Sequence, residues 1–140
     1  FIPTRPSHPD DVAAISPQFV EIYRQASAAE GYKLTEVAGV GYRKALEFLI
    51  KDYCINADPK NAEFIKGKFL ANVINDHIPD ENIKACASRA TWLGNDETHY
   101  VRRWDDKDIK DLKALITLTV SWINTKLLTA KYVAAMPEKK

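Results

Sequence analysis

The residues best able to do chemistry lie in one short run, Arg89-Ala-Thr-Trp-Leu-Gly-Asn-Asp-Glu-Thr-His99-Tyr-Val-Arg-Arg103. An imidazole moves protons near neutral pH, and a guanidinium steadies the charge of a phosphate. His99 is the candidate for the first role. Arg89 and Arg102 are the candidates for the second, and Asn95, His99, Arg102 and Arg103 together would line a pocket for a nucleotide or a nucleic-acid strand.

Other groupings carry less. Asp96, Glu97 and His99 offer metal-ligand types, but neighbouring helical residues diverge by about 100° and no second histidine is close, so no metal site is expected. Arg102-Arg103-Trp104 with Lys107, Lys110 and Lys113 has the make-up of a phosphate stripe with an aromatic platform. Asp105, Asp106, Asp108 and Asp111 interleave with it, which favours a salt-bridged surface. His8 and His77 are expected to be solvated. No serine sits in a nucleophile elbow and no glycine loop could cradle a phosphate, so no cofactor is expected.

Bulk properties bound the rest. The chain has 140 residues, enough for one domain. Its 20 basic and 19 acidic residues leave a net charge of +1, a weak footprint for nucleic acid. Cys54 and Cys86 have no Cys-x-x-Cys partner and sit in helical patterns; free buried thiols in a reducing, cytoplasmic setting are expected. No apolar run approaches the ~20 residues that span a bilayer, and no signal-peptide pattern opens the chain. A start at Phe1 suggests a fragment of a longer protein.

The elements that must position His99 read as all-α, about five helices with a long last one. Residues 1–15, with Pro3, Pro6 and Pro9, read as an extended lead-in, 16–135 as a single helical bundle and 136–140 as a tail. Ser16 and Pro17 open the first helix, which Gly31 closes. The second runs from Thr35 to about Ile55, with Val37, Ala38, Leu46, Leu49, Ile50 and Tyr53 inward. Gly39 and Gly41 weaken its start, or admit a neighbouring helix. Asp58-Pro59 opens a third, with Phe64, Ile65, Phe69, Val73 and Ile74 as its stripe. A fourth starts at Pro79 and stops at Gly94, after which Asn95 caps the next turn. The last runs from about Asp106 to Val133. Ile109, Leu112, Ile116, Ile123, Leu127 and Ala130 form its first stripe, and Leu115, Leu118 and Trp122 a second. A helix apolar on two sides is buried on two sides, either within the domain or against another subunit; the second stripe marks a candidate homodimer contact.

Two segments carry a resemblance. Tyr42-Arg43-Lys44-Ala45-Leu46-Glu47 and Leu93-Gly94-Asn95-Asp96-Glu97-Thr98-His99 are similar to motifs of a helical domain-of-unknown-function family found in restriction-system and other defence-linked proteins. That family resembles the HEPN superfamily of nucleotide-binding and RNase domains. The resemblance covers about Pro17 to Val133 and implies a HEPN-like bundle. Catalytic members of the superfamily carry an arginine a few positions before the histidine; the arginine takes up charge on the phosphate while the histidine serves the ribose 2′-hydroxyl and the leaving oxygen. Here Gly94 holds that place, and Thr91 or Trp92 stands where the nearer family often has an arginine.

The resemblance therefore implies a structural motif of Arg43, Glu47, Gly94, Asn95 and His99. In it His99 points inward and bonds Glu47, with Arg43 as companion one turn earlier. Three readings stay open: a non-catalytic interaction module, homodimeric through its last helix; a metal-independent ribonuclease using His99 and a displaced arginine; and a nucleotide or nucleic-acid sensor.

Overall fold

The computed structural model describes residues 5–139, all-α among them, with seven α-helices and one 3-10 turn. Within the expected lead-in, α1 (Asp10–Ile15) forms and buries Val12 completely, so this stretch belongs to the core; Pro3 lies outside the described residues. Pro9 precedes α1, and Asp10 and Asp11 in its first turn suit the positive end of a helix. The expectation that His8 is solvated is also corrected. Its ring packs 4.8 Å from Phe19 and 4.9 Å from Tyr23, and burial lowers its pKa.

Helix α2 (Pro17–Gly31) and α3 (Thr35–Ala57) pack on each other most extensively. Gly41 makes this approach possible: a Cβ there would lie 2.9 Å from the Ala26 Cβ. Ser16 precedes α2 as expected, yet its hydroxyl donates to Asp52 at 2.6 Å instead of capping the helix. Phe19, Tyr42, Leu46, Leu49 and Ile50 are fully buried here, each worth about 1.5–3 kcal/mol of apolar transfer. Val37, expected inward, is 64% exposed near the start of α3.

The expected single third helix is broken. A 3-10 turn (Pro59–Asn61), α4 (Ala62–Gly67) and α5 (Leu70–His77) replace it. Lys68 and Phe69 are extended between α4 and α5, and Lys51 of α3 donates to the carbonyls of Lys66 and Lys68 at 2.9 and 2.8 Å. That ammonium satisfies carbonyls the interrupted helix leaves open. The break rotates the stripe, so Ile65, Val73 and Ile74 are buried while Phe64 and Phe69 face outward.

Helix α6 (Glu81–Thr98) starts at Asp80, whose carboxylate accepts from the Ile83 amide at 2.9 Å. It does not stop at Gly94. It runs through Gly94 and Asn95, and His99 is its C-cap. Asn95 is therefore a mid-helix residue and not an N-cap, a correction explained by what lies across from Gly94, described below.

Helix α7 (Ile109–Ala135) opens with a reciprocal capping box between Asp108 and Asp111. Leu112, Ile116 and Ile123 are buried in the bundle as the first stripe requires, whereas Ala130 is exposed. The second stripe divides: Leu115 packs against the core of its own domain, whereas Leu118 and Trp122 are exposed. Cys54 and Cys86 are free thiols, and no helix among the described residues is long and apolar enough to cross a membrane.

Candidate functional site

Packing of α3 against α6 builds the site. Arg43 and Glu47 stand one turn apart on α3, and the Arg43 Nη1 donates to the Glu47 Oε1 at 2.6 Å. The Arg43 Nε donates across the interface to the Asn95 Oδ1 of α6 at 3.1 Å. Lys51 adds a second cation, 2.9 Å from the Glu47 Oε2. Burial pushes the Glu47 carboxyl upward, but its bonds with Arg43 and Lys51 outweigh that and hold it below the usual carboxylate range.

Gly94 makes the crossing possible. A Cβ at this position would lie 2.7 Å from the Arg43 Cδ and 3.2 Å from the Arg43 Cβ. Gly94 thus admits a neighbouring side chain and does not end the helix; the ~1 kcal/mol a mid-helix glycine costs is set against that contact. Gly39 plays a similar part near the start of α3, where a Cβ would lie 2.7 Å from the Glu97 Cδ.

Arg43, Glu47, Asn95 and His99 all line one surface cleft of about 520 Å³, with Lys44 and the exposed Phe69 at its walls. The four are gathered as the two motifs suggested, but the wiring differs. Glu47 bonds Arg43 and Lys51, and His99 is exposed, its amide bonding the Asn95 carbonyl at 3.0 Å. The expected inward-pointing His99–Glu47 bond is therefore corrected. His99 follows the last residue of α6, so its side chain stands at the rim and not under the helix. The cation sharing the cleft with His99 is Arg43, read from the sequence as a structural companion, together with Lys44, which was overlooked. Lys44 had a signal, since it directly follows Arg43 in the first motif.

The other arginines divide. The Arg89 guanidinium lies 5.3 Å from the Trp92 ring centroid, and Trp92 stacks parallel to Trp104 with centroids 5.8 Å apart. Arg89 lines a separate apolar cavity of about 370 Å³ with Leu93 and Leu115, not the His99 cleft. Arg102 is held by Glu97 at 2.8 Å and by the Lys107 carbonyl at 3.0 Å, likewise away from the cleft. Arg103 alone of the three lines a cavity with His99, about 430 Å³, which Asn95, Asp96 and the two tryptophans complete.

The Asp96 carboxylate is 4% exposed and accepts from the Arg103 and Trp104 amides at 2.9 and 2.8 Å, pinning the loop after α6. Asp96 and Glu97 are thus committed to the protein, and among the described residues no three His, Cys, Asp or Glu side chains converge on a metal position. The basic run after Arg102 is largely tied up: Lys107 pairs with Asp106 at 3.1 Å and Lys113 with Glu30 at 3.0 Å. No known protein family, curated protein or solved structure matches this chain.

Proposed function

We propose that the chain is a non-catalytic helical interaction module that pairs with a second copy of itself through α7, in the service of a larger protein. The observation that carries this reading is the exposed apolar face of α7. Leu118, Trp122, Leu128, Tyr132 and Val133 of α7, with Met136 at its C-cap, are 38–72% exposed. Contiguous apolar surface of this kind marks an interaction site. The resemblance to HEPN-like domains of defence and restriction systems supports the same reading, and two free thiols fit a reducing, cytoplasmic setting. Light scattering over a dilution series tests the pairing. A mass near twice 15.8 kDa that falls on dilution supports it, and a monomer at every concentration overturns it.

The cleft favours a second reading, binding of a phosphate-bearing ligand such as a nucleotide or an RNA strand. Arg43 and Lys44 beside His99 supply the cations, and Asn95 supplies an amide. Arg43 is already paired with Glu47, which weakens its hold on a phosphate and its use in cutting alike and leaves more of the attraction to Lys44. An RNA cleavage assay in EDTA, wild type beside His99→Ala, separates the two. Cutting that disappears in the variant would make the chain a ribonuclease. Binding that weakens with salt, without cutting, supports a sensor.

A further inference from the structure

The exposed seam of α7 has an order of its own. Leu118, Trp122, Thr125, Thr129, Tyr132 and Met136 recur at alternating steps of four and three, the spacing of a helix–helix seam. All six are exposed. The series is also symmetric in size about Leu127. Leu118 and Met136 lie nine residues to either side, Trp122 and Tyr132 five, and Thr125 and Thr129 two.

We infer that α7 pairs with the α7 of a second copy in antiparallel register about a two-fold axis beside Thr125 and Thr129. This rests on the pairing proposed above and specifies its geometry. A two-fold contact is isologous, so the patch must complement itself when reversed. Reversed, this seam places Trp122 against the partner's Tyr132, Leu118 against the partner's Met136, and Thr125 against the partner's Thr129. Large meets large at the flanks, while the small β-branched pairs at the centre let the backbones approach. A parallel pair would oppose Trp122 to its own copy.

Charge agrees. Between Ile116 and Met136 the charged residues are Lys126 and Lys131. Lys131 bonds Asp11 of α1 at 2.5 Å, and Lys126 lies 3.7 Å from Asp80 at the start of α6. Both are drawn back onto their own chain, so the seam brings no like charges together. The five large exposed apolar side chains of α7, together with Met136 at its C-cap, offer roughly 600 Å² per copy, of the order of the ~800 Å² per partner of a standard interface. A second copy fits this face better than a charged partner, for which the seam has no counter-charge.

Disulfide trapping tests the register in a Cys86→Ser background; Cys54 is 1% exposed and stays out of reach. Trp122→Cys chains and Tyr132→Cys chains are oxidised separately and as an equilibrated mixture. A disulfide needs Cβ atoms about 4 Å apart, whereas the two copies of position 122 would sit roughly 15 Å apart along the axis. The mixture should crosslink and neither variant alone should. Thr125→Cys mixed with Thr129→Cys keeps both aromatic residues and should crosslink as well. Trp122→Cys crosslinking alone, or no crosslink in either mixture while light scattering shows a dimer, overturns the register and leaves the pairing standing. A wild-type monomer by light scattering removes the pairing itself.

Discussion

Replacing Gly94 by alanine tests how the site is built. In an ordinary helix interior this change stabilises by about 1 kcal/mol, because glycine is the poorer helix former. Here the new methyl would meet the Arg43 Cδ at 2.7 Å and the Arg43 Cβ at 3.2 Å. The first contact can yield by a change of rotamer, though the arginine is held by Asn95 and Glu47. The second is fixed to the backbone of α3 and requires the helices to separate. Overpacking of this kind costs about 1–3 kcal/mol, so Gly94→Ala should lose a net 0–2 kcal/mol. Gly67 is the internal control, since a Cβ there meets nothing within 4 Å. Gly67→Ala should be neutral or gain up to about 1 kcal/mol. Urea denaturation of both variants measures the difference, expected to be up to about 3 kcal/mol in favour of Gly67→Ala. In the Arg43→Ala background the Gly94→Ala cost should shrink, a coupling of at least about 0.5 kcal/mol. Gly94→Ala as stabilising as Gly67→Ala, with no coupling to Arg43, would refute the reasoning.

The remaining expectations are briefer. Asp96→Ala should cost about 2–4 kcal/mol, because it strands the Arg103 and Trp104 amides that its carboxylate accepts, and hydrogen exchange at those two amides should speed up. Asp108→Ala should cost about 1 kcal/mol through loss of the α7 capping box, read by thermal melting. Because the folded-state pKa of Glu47 is depressed, its stabilisation is present above the unfolded value near 4.3 and is lost as pH falls through the folded value. Glu47→Gln should therefore remove part of the acid-side loss of stability in denaturation curves taken below about pH 4.5. Burial pushes the Cys54 thiol up to about 12, so in the native state a thiol reagent at pH 8 should label Cys86 and spare Cys54 until the chain unfolds.

What the sequence made legible follows from which signals are local. The start of α6 near Pro79, the Pro17 start of α2 and most of the buried stripes of α3 and α7 were readable because periodicity and helix-start signals act within a few residues. The two motifs pointed to the residues that share the cleft, Arg43, Glu47, Asn95 and His99. The error at Gly94 came from reading a glycine as punctuation, when its cause is Arg43 some fifty positions earlier in the chain. No local rule reports a contact of that range. The break at Lys68 and Phe69 was hidden for the same reason, since the group that satisfies the open carbonyls is Lys51 on another helix. The short α1 was concealed by the prolines around it, though Val12 proves fully buried.

Sedimentation equilibrium of wild type beside Trp122→Glu tests the interaction reading most directly, with circular dichroism confirming that both remain helical. Trp122 is 38% exposed and otherwise covered by its own chain, so the circular dichroism comparison decides whether the variant is folded; in a folded variant, a carboxylate placed in the pairing seam should weaken association by at least about 2 kcal/mol, some thirtyfold. The account predicts a dissociating dimer for wild type and a monomer for the variant. Identical masses for the two, whether both monomer or both dimer, would contradict it.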